Sequence, residues 1–284
     1  LYMHIIKSAK KLTHYVNQLR ANDKNVTIGL VPTMGALHLG HASLIDASVV
    51  ANTYTVCSIF VNPTQFGDAG DLDKYPKPIE KDIELLMEHK CDILFLPEYD
   101  QVYPENYVHR EFDLAGMDFK IEGASRPGHF QGVCNVVARF FEIVHPDVAY
   151  FGQKDLQQTV VVKRLVKLLN FPIQLAIVPI KREPRGLAMS SRNIRLSEKG
   201  KNNAAFIYKA LHQLKEDVEE MSLQDALAKA KQFISAQKGA RIDYLLAVDT
   251  TTLEEKEKLD YKTEVAVVIV VEYEGVRLLD NIIL

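Results

Sequence analysis

The feature that most constrains this chain is an alternation running through its first 180 residues. Short β-branched apolar runs are each followed by a turn and then by a segment with helical spacing. The run Val26-Thr27-Ile28-Gly29-Leu30-Val31 leads through a Pro/Gly-containing turn into a helix-compatible stretch at 42–51. Residues 53–61 read as a second strand and 78–90 as an amphipathic helix with proline in its first turn. Strands at 91–96, 147–151 and 173–178 and helices at 131–144 and 156–169 continue the series, with a helix at 8–19 ahead of it. Strands alternating with helices predict a parallel, doubly wound α/β sheet. Beyond Pro179 the pattern changes. A loop at 181–195 carries five basic residues. Helices at 198–220 and 223–237 follow, then strands at 242–248, 264–272 and 276–283, the last two joined by a Glu274-Gly275 hairpin turn. The chain therefore divides into a first domain over 1–179 and a smaller α+β domain over 180–284.

Composition narrows the function. At 284 residues the chain can bury a substantial core, and a net charge of −3 argues against a surface that coats nucleic acid. The longest apolar run, 265–271, is too short to cross a bilayer, and the first residues lack the apolar core of a secretory leader. Cys57, Cys91 and Cys134 are scattered in apolar surroundings and read as small core residues, in keeping with a reducing cytoplasm.

The segment Pro32-Thr33-Met34-Gly35-Ala36-Leu37-His38-Leu39-Gly40-His41 occupies a strand-to-helix junction, where parallel sheets bind ligands beyond their strand ends. A helix start offers unpaired N–H groups and a positive dipole end, a seat for phosphate. His38 and His41 share one face of the entering turn, and a side chain at Gly40 would obstruct a ligand approaching the backbone. Gly35 and Gly40 also have the spacing of a Walker A loop, but His41-Ala42 stands where Lys and Ser/Thr are required. A His-x-x-His pair can bind zinc given a third ligand. Taken alone, the pair also fits a helix start that happens to carry two polar residues.

Further motifs fall in loops or at strand ends. Phe60-Val61-Asn62-Pro63-Thr64-Gln65-Phe66 places Gln65 to hold a polar small molecule, or as an ordinary turn glutamine. Arg126-Pro127-Gly128-His129-Phe130-Gln131-Gly132 is a flap with a cationic contact or a capped turn. Phe151-Gly152-Gln153-Lys154-Asp155 projects Lys154 toward phosphates as a point charge, with Asp155 at the helix start and Gln158 one turn later. The reading of Asp155 as a simple N-cap beside a solvated Lys154 is equally open. Gly186-Leu187-Ala188-Met189-Ser190-Ser191-Arg192-Asn193 brings two hydroxyls and a guanidinium together as a phosphate clamp, or is an exposed loop of the kind in which serines and basic residues are common.

In this order the motifs, closed by Leu278-Leu279-Asp280-Asn281, resemble the pantothenate synthetase family, the AMP-forming pantoate–β-alanine ligases of the His-x-Gly-His nucleotidylyltransferase superfamily, from about residue 5 to 283. Arg185 departs from the pattern, standing where the family usually has an acidic residue. The resemblance implies a Rossmann-like first domain and a cytoplasmic homodimer that uses Mg²⁺ and ATP and engages neither nucleic acid nor membrane. It implies attack of (R)-pantoate on the α-phosphate of ATP, then aminolysis of pantoyl adenylate by β-alanine. Met34, Gly35, Ala36, Leu37, His38, Leu39, Gly40 and His41 would line the ATP site, with Gly152, Gln153, Lys154, Asp155, Met189, Ser190, Ser191 and Arg192. Lys181 would contact the adenine through its backbone, and Gln65 and Gln158 would hold pantoate. His41, His38, Lys154 and Arg192 are the expected catalytic groups. Protein ligands to the metal are not legible; Asp82 is the single outer-shell candidate. A nucleotidylyltransferase moving AMP onto a phosphorylated acceptor is the alternative enzyme, and an adenine-nucleotide sensor the alternative outside enzymes.

Overall fold

Apolar runs without alternation become strands buried on both faces. The computed structural model describes residues 2–67, 69–73, 75–260 and 262–284. Within them, β1 (His4–Ile6), β2 (Ile28–Thr33), β3 (Tyr54–Ile59), β4 (Ile93–Phe95), β5 (Val148–Gly152) and β6 (Gln174–Val178) form one parallel sheet in the order β1-β4-β3-β2-β5-β6. Ile28, Leu30, Val31, Val56, Cys57, Ile93, Leu94 and Phe95 are fully buried in its centre. This is the doubly wound α/β sheet expected. Its order reverses at β2, which pairs with β3 on one side and β5 on the other. Pro32, which has no N–H to donate, lies where the ladder with β5 has already ended.

The helices of this unit include α1 (Ala9–Asn22), α2 (Leu39–Ala51), α3 (Ile79–Glu88) and α4 (His129–Val144), and residues 161–168 of a further helix belong to it as well. Ser8 caps α1 by accepting the Lys11 N–H. α2 lies close on β2 because Gly29 has no side chain. A Cβ there would sit 2.1 Å from Ser48 Oγ and 2.7 Å from Asn52 Nδ2. Those two polar groups are held in the gap by Thr55 and Tyr150: the Ser48 and Thr55 hydroxyls are 2.8 Å apart, and the Asn52 amide donates to the Tyr150 hydroxyl at 2.7 Å. The three cysteines are buried, as expected, and burial pushes the Cys91 and Cys134 thiols up to about 12. Among the described residues no helix is long and apolar enough to cross a membrane.

The second unit is built on an antiparallel sheet of β7 (Ala240–Asp249), β8 (Val265–Tyr273) and β9 (Val276–Ile283). Glu274 and Gly275 both take positive φ, +49° and +72°, as a two-residue hairpin turn requires. After α5 (Leu156–Leu168), the helices α6 (Phe206–Asp217) and α7 (Leu223–Ser235) pack Ile207, Leu211, Leu214 and Ile234 into one core with Val267, Ile269 and Val271.

The structure departs from the sequence reading in four places. β1 was not expected; it is three residues long, too short for a periodic signal. α2 begins at Leu39 rather than 42, for reasons given below. The single helix expected over 198–220 is two, Glu198–Asn203 and α6. Glu274 accepts from both the N–H and the hydroxyl of Ser197 and lies against Gly200, holding the short helix on the hairpin, so the chain turns at Ala204–Ala205 before α6 enters the core. Finally, one compact unit runs to Gly152 and resumes at Val161–Val178, while Gln153–Val160, placed in the first domain by the sequence reading, group with Pro179–Leu284.

Substituting Gly29→Ala forces Ser48 and Asn52 aside. We expect about 1–3 kcal/mol of lost stability, the usual range for overpacking, read as a lower urea midpoint with unchanged slope. An unchanged midpoint would show that α2 is not seated on this glycine.

Candidate active site

The turn leaving β2 holds a backbone that needs support from outside itself. Gly35 and Ala36 take φ of +84° and +49°, the left-handed region. Their N–H groups and that of Leu37 point inward: Gly35 donates to the Thr33 hydroxyl at 3.2 Å, Ala36 to Asp82 Oδ2 at 2.9 Å and Leu37 to Asp82 Oδ1 at 2.7 Å. Asp82 comes from α3 and is 2 % exposed. Desolvation raises its carboxyl above the usual value, and the two backbone donors pull the other way. Both oxygens of Asp82, the outer-shell metal candidate of the sequence reading, are engaged by the turn.

α2 opens on a capping box made of histidines. His38 is the N-cap; its Nδ1 accepts the Gly40 N–H at 3.0 Å, while the His38 N–H donates to Nδ1 of His41 at 3.3 Å. The ring centroids are 4.1 Å apart. A ring nitrogen that accepts carries no proton, so in each neutral imidazole the proton sits on Nε2, facing away from those backbone groups. The sequence reading expects unpaired N–H groups at this helix start, and most of those around it are engaged. The N–H groups of Gly35, Ala36, Leu37, His38, Gly40, His41 and Ala42 already have acceptors within the protein. The turn thus brings two imidazole N–H groups to the helix start.

Gln65 lies in the same unit and is buried. Its Oε1 accepts from the Asn62 amide at 3.1 Å, and its Nε2 donates to the Met34 sulfur at 3.0 Å. Asn62 is saturated, also donating to the Gly132 carbonyl and accepting from the Thr64 and Tyr103 hydroxyls. With its oxygen held, Gln65 presents its amide N–H edge, suited to a hydroxyl or carboxylate. Gly132 makes this possible, since a Cβ there would lie 2.3 Å from the Thr64 carbonyl oxygen. His129, from the same motif, lies 2.8 Å through Nδ1 from the Gln65 carbonyl oxygen and takes a contact from Arg126 at Nε2. Sequence reasoning left this motif between flap and capped turn; its structural partner is the Gln65 backbone.

The second unit holds the other candidates. Gln153–Asp155 form a single turn ahead of α5, where Lys154 Nζ pairs with Asp155 Oδ1 at 3.1 Å. Lys181 to Met189 fold back on themselves as a hairpin, with Met189 N–H on the Lys181 carbonyl and Glu183 N–H on that of Leu187. Ser190 then caps a short turn, Ser191–Arg195, through the Arg192 N–H, and buried Asn193 ties back to the Ala188 carbonyl. Ser190, Ser191 and Arg192 are thus consecutive on one rigid turn. Sequence reasoning missed the residues beneath it. Arg182 forms a bidentate pair with buried Asp280 at 2.6 and 2.9 Å, and Asn281 donates to the carbonyls of Gln153 and Lys154. The motif Leu278-Leu279-Asp280-Asn281 carried the signal, but nothing local assigned it a partner. Each unit therefore presents donors suited to a polyanion, and the first also presents an amide suited to a small polar acid.

The comparisons with known proteins point the same way. The pantoate-beta-alanine ligase family model matches residues 4–283. A pantothenate synthetase from Cytophaga hutchinsonii is 46% identical over 263 residues, covering 92% of this chain and 93% of that protein. The crystal structure of pantothenate synthetase from Thermus thermophilus is similar at TM-score 0.86 and 38% identity, covering 99% of each chain. That of pantoate-beta-alanine ligase from Francisella tularensis, complexed with beta-gamma ATP and beta-alanine, is similar at TM-score 0.78 and 34% identity, covering 99% of this chain and 97% of that one.

Asp82→Asn leaves one acceptor for two buried N–H groups, and we expect a loss of about 1–3 kcal/mol in urea unfolding near neutral pH. The raised carboxyl means that the folded protein holds the Asp82 proton more tightly than the unfolded chain. Wild-type stability from this group is present below the unfolded carboxyl value and is lost as pH rises through the folded one. The wild type should therefore gain on Asp82→Asn as pH falls across that window. A gap that narrows instead would contradict the assignment.

Proposed function

The chain belongs to the pantoate–β-alanine ligase family, and from that membership we propose how its own residues carry the reaction. It is a ligase that condenses (R)-pantoate with β-alanine using ATP. In the first step a pantoate carboxylate oxygen bonds to the α-phosphorus, and the bond to the bridging oxygen breaks, releasing pyrophosphate. In the second the amine of β-alanine bonds to the acyl carbon, loses a proton and expels AMP.

Negative charge concentrates on the α-phosphate and the departing pyrophosphate, so preorganised donors and cations dominate the first step. The observation that carries our reading is the histidine capping box, which fixes both rings as Nε2–H donors before any ligand arrives. We assign His41 and His38 to phosphate oxygens, His41 as the donor to the charge developing as pyrophosphate leaves. Lys154 adds a point charge on releasing Asp155, Ser190 and Ser191 add hydroxyls, and Arg192 adds a bidentate guanidinium. Met34, Gly35, Ala36, Leu37, Leu39, Gly40, Gly152, Gln153 and Met189 line the nucleotide, and Lys181 meets the adenine through its backbone. Gln65 and Gln158 hold pantoate, as neutral donors that grip its oxygens without quenching the nucleophile's charge.

Magnesium is proposed to enter on the triphosphate, hydrated and carried by phosphate oxygens. A cytoplasmic homodimer that binds neither nucleic acid nor membrane is likewise proposed. Buried free thiols fit a reducing compartment and the net charge of −3 argues against coating nucleic acid, while the homodimer rests on the family resemblance and is tested by light scattering.

Adenylation needs only the carboxylate and ATP. Labelled pyrophosphate should therefore enter ATP when enzyme and Mg-ATP are incubated with pantoate and no β-alanine. Exchange driven instead by a phosphorylated acceptor would indicate a nucleotidylyltransferase. His41→Ala should slow single-turnover adenylation by about 10²-fold or more, the scale for losing a transition-state donor, with a much smaller change in ATP affinity. His41→Gln, which can restore the cap, should recover stability but not rate; recovery of both would reduce His41 to a capping residue. Gln158→Glu places a carboxylate beside an anionic substrate, a repulsion of about 4 kcal/mol at ~4 Å and an effective dielectric of ~20. Pantoate use should fall far more than ATP affinity, and equal losses would remove Gln158 from the pantoate site.

A further inference from the structure

Asp280 and Asn281 are neighbours on β9, 4 % and 1 % exposed, and both side chains are polar in an otherwise apolar part of the fold. Asp280 accepts from Arg182 Nη1 at 2.6 Å and Nη2 at 2.9 Å, and its Oδ1 also takes the Asn281 N–H at 2.8 Å. The same guanidinium donates from Nη1 to the Gly186 carbonyl at 3.0 Å and lies over the Tyr208 ring, 4.2 Å from its centroid. It therefore grips both ends of the turn that precedes Ser190. Gly186, at φ +107°, admits no side chain, because a Cβ would lie 2.5 Å from Tyr208 Cδ1. Asn281 holds the other segment. Its Nδ2 donates to the carbonyls of Gln153 at 2.9 Å and Lys154 at 3.0 Å, and its Oδ1 accepts from Gln153 Nε2 at 3.1 Å.

This arrangement is expensive as a device for stability alone. A buried ion pair gains little over well-packed apolar residues of similar volume. Here instead two adjacent strand residues fix the backbones of the two segments that carry Lys154 and Arg192. Neither Asp280 nor Asn281 is needed by the chemistry assigned above, and neither presents its polar atoms to a ligand when all of these bonds are made.

We propose that Asp280 and Asn281 are positioning residues for adenylate formation. Asn281 fixes the carbonyl of Lys154 and so the direction in which its ammonium leaves the turn. Asp280, through Arg182, fixes the hairpin that delivers Ser190, Ser191 and Arg192. A single rigid strand thereby sets the register between the two groups of phosphate ligands. The inference rests on Lys154 and Arg192 being those ligands.

The test uses pantoate-dependent pyrophosphate exchange at saturating ATP and pantoate, measured on the folded fraction. Asn281→Asp is nearly isosteric but replaces the donor with an oxygen facing two carbonyls. Arg182→Lys keeps the charge opposite Asp280 and gives up the fork, so it remains informative if Asn281→Asp does not fold. Each should lower the exchange rate by about 10- to 100-fold, the scale for a misplaced catalytic group, with KM for pantoate unchanged. In a Lys154→Ala background Asn281→Asp should cost little more, since the group it positions is gone. In an Arg192→Ala background the same should hold for Arg182→Lys. Additive losses, or losses that follow the melting temperature alone, would reduce the pair to scaffold and overturn the proposal, as would full exchange in a folded Arg182→Lys variant. Absence of pantoate-dependent exchange in the wild type would instead overturn the reading beneath it.

Discussion

The turn after β2 depends on a buried carboxylate 46 residues further along the chain. Two left-handed residues in succession aim three N–H groups at the protein interior, where unpaired amides are costly. Asp82 satisfies two and the Thr33 hydroxyl the third. The consequence reaches the ligand. A turn that has given its amides to the protein cannot wrap a phosphate with its backbone, in the manner of a glycine-rich phosphate loop. In the function proposed above, recognition then falls to side chains, and these must be held as firmly as a backbone would be.

The second unit meets the same requirement with the same kind of group. Asp280, like Asp82, is a buried carboxylate whose value desolvation raises; it holds a guanidinium and a backbone N–H, where Asp82 holds two backbone N–H groups. A carboxylate facing a polyphosphate would repel it; one turned inward and satisfied supplies rigidity with little field at the surface. Each unit thus has a buried carboxylate behind one of the turns that carry the proposed donors.

The sheet was legible because alternation of apolar runs with helical segments is a local signal, and the strand-end motifs were legible because their joint occurrence in order is far more specific than any one of them. What was not legible is long-range. Asp82 stood only as an outer-shell metal candidate, because its partners, the N–H groups of Ala36 and Leu37, are backbone atoms with no sequence identity. Arg182 and Asp280 are 98 residues apart, and nothing in either motif names the other. The break at Ala204–Ala205 was hidden because 198–220 has helical spacing throughout, and the contact that anchors its first turn comes from Glu274. The assignment of Gln153–Val160 to the second unit has the same origin, since Asn281 reaches the turn ahead of α5 from the far end of the chain.

The three-residue spacing of the histidines follows from what one side chain must do twice. His38 at the N-cap and His41 at N3 are the two positions that exchange bonds in a capping box. Serine or threonine at the cap, with glutamate at N3, would close the helix equally well, but the glutamate would set a negative charge where we propose that a phosphate binds. Lysine could meet the phosphate but cannot accept an N–H. Imidazole accepts at one nitrogen and donates at the other, so the bond that closes the helix also fixes which edge of the ring carries the proton. Donor orientation is then settled during folding, before substrate arrives, which is the condition under which a hydrogen bond contributes most to a transition state.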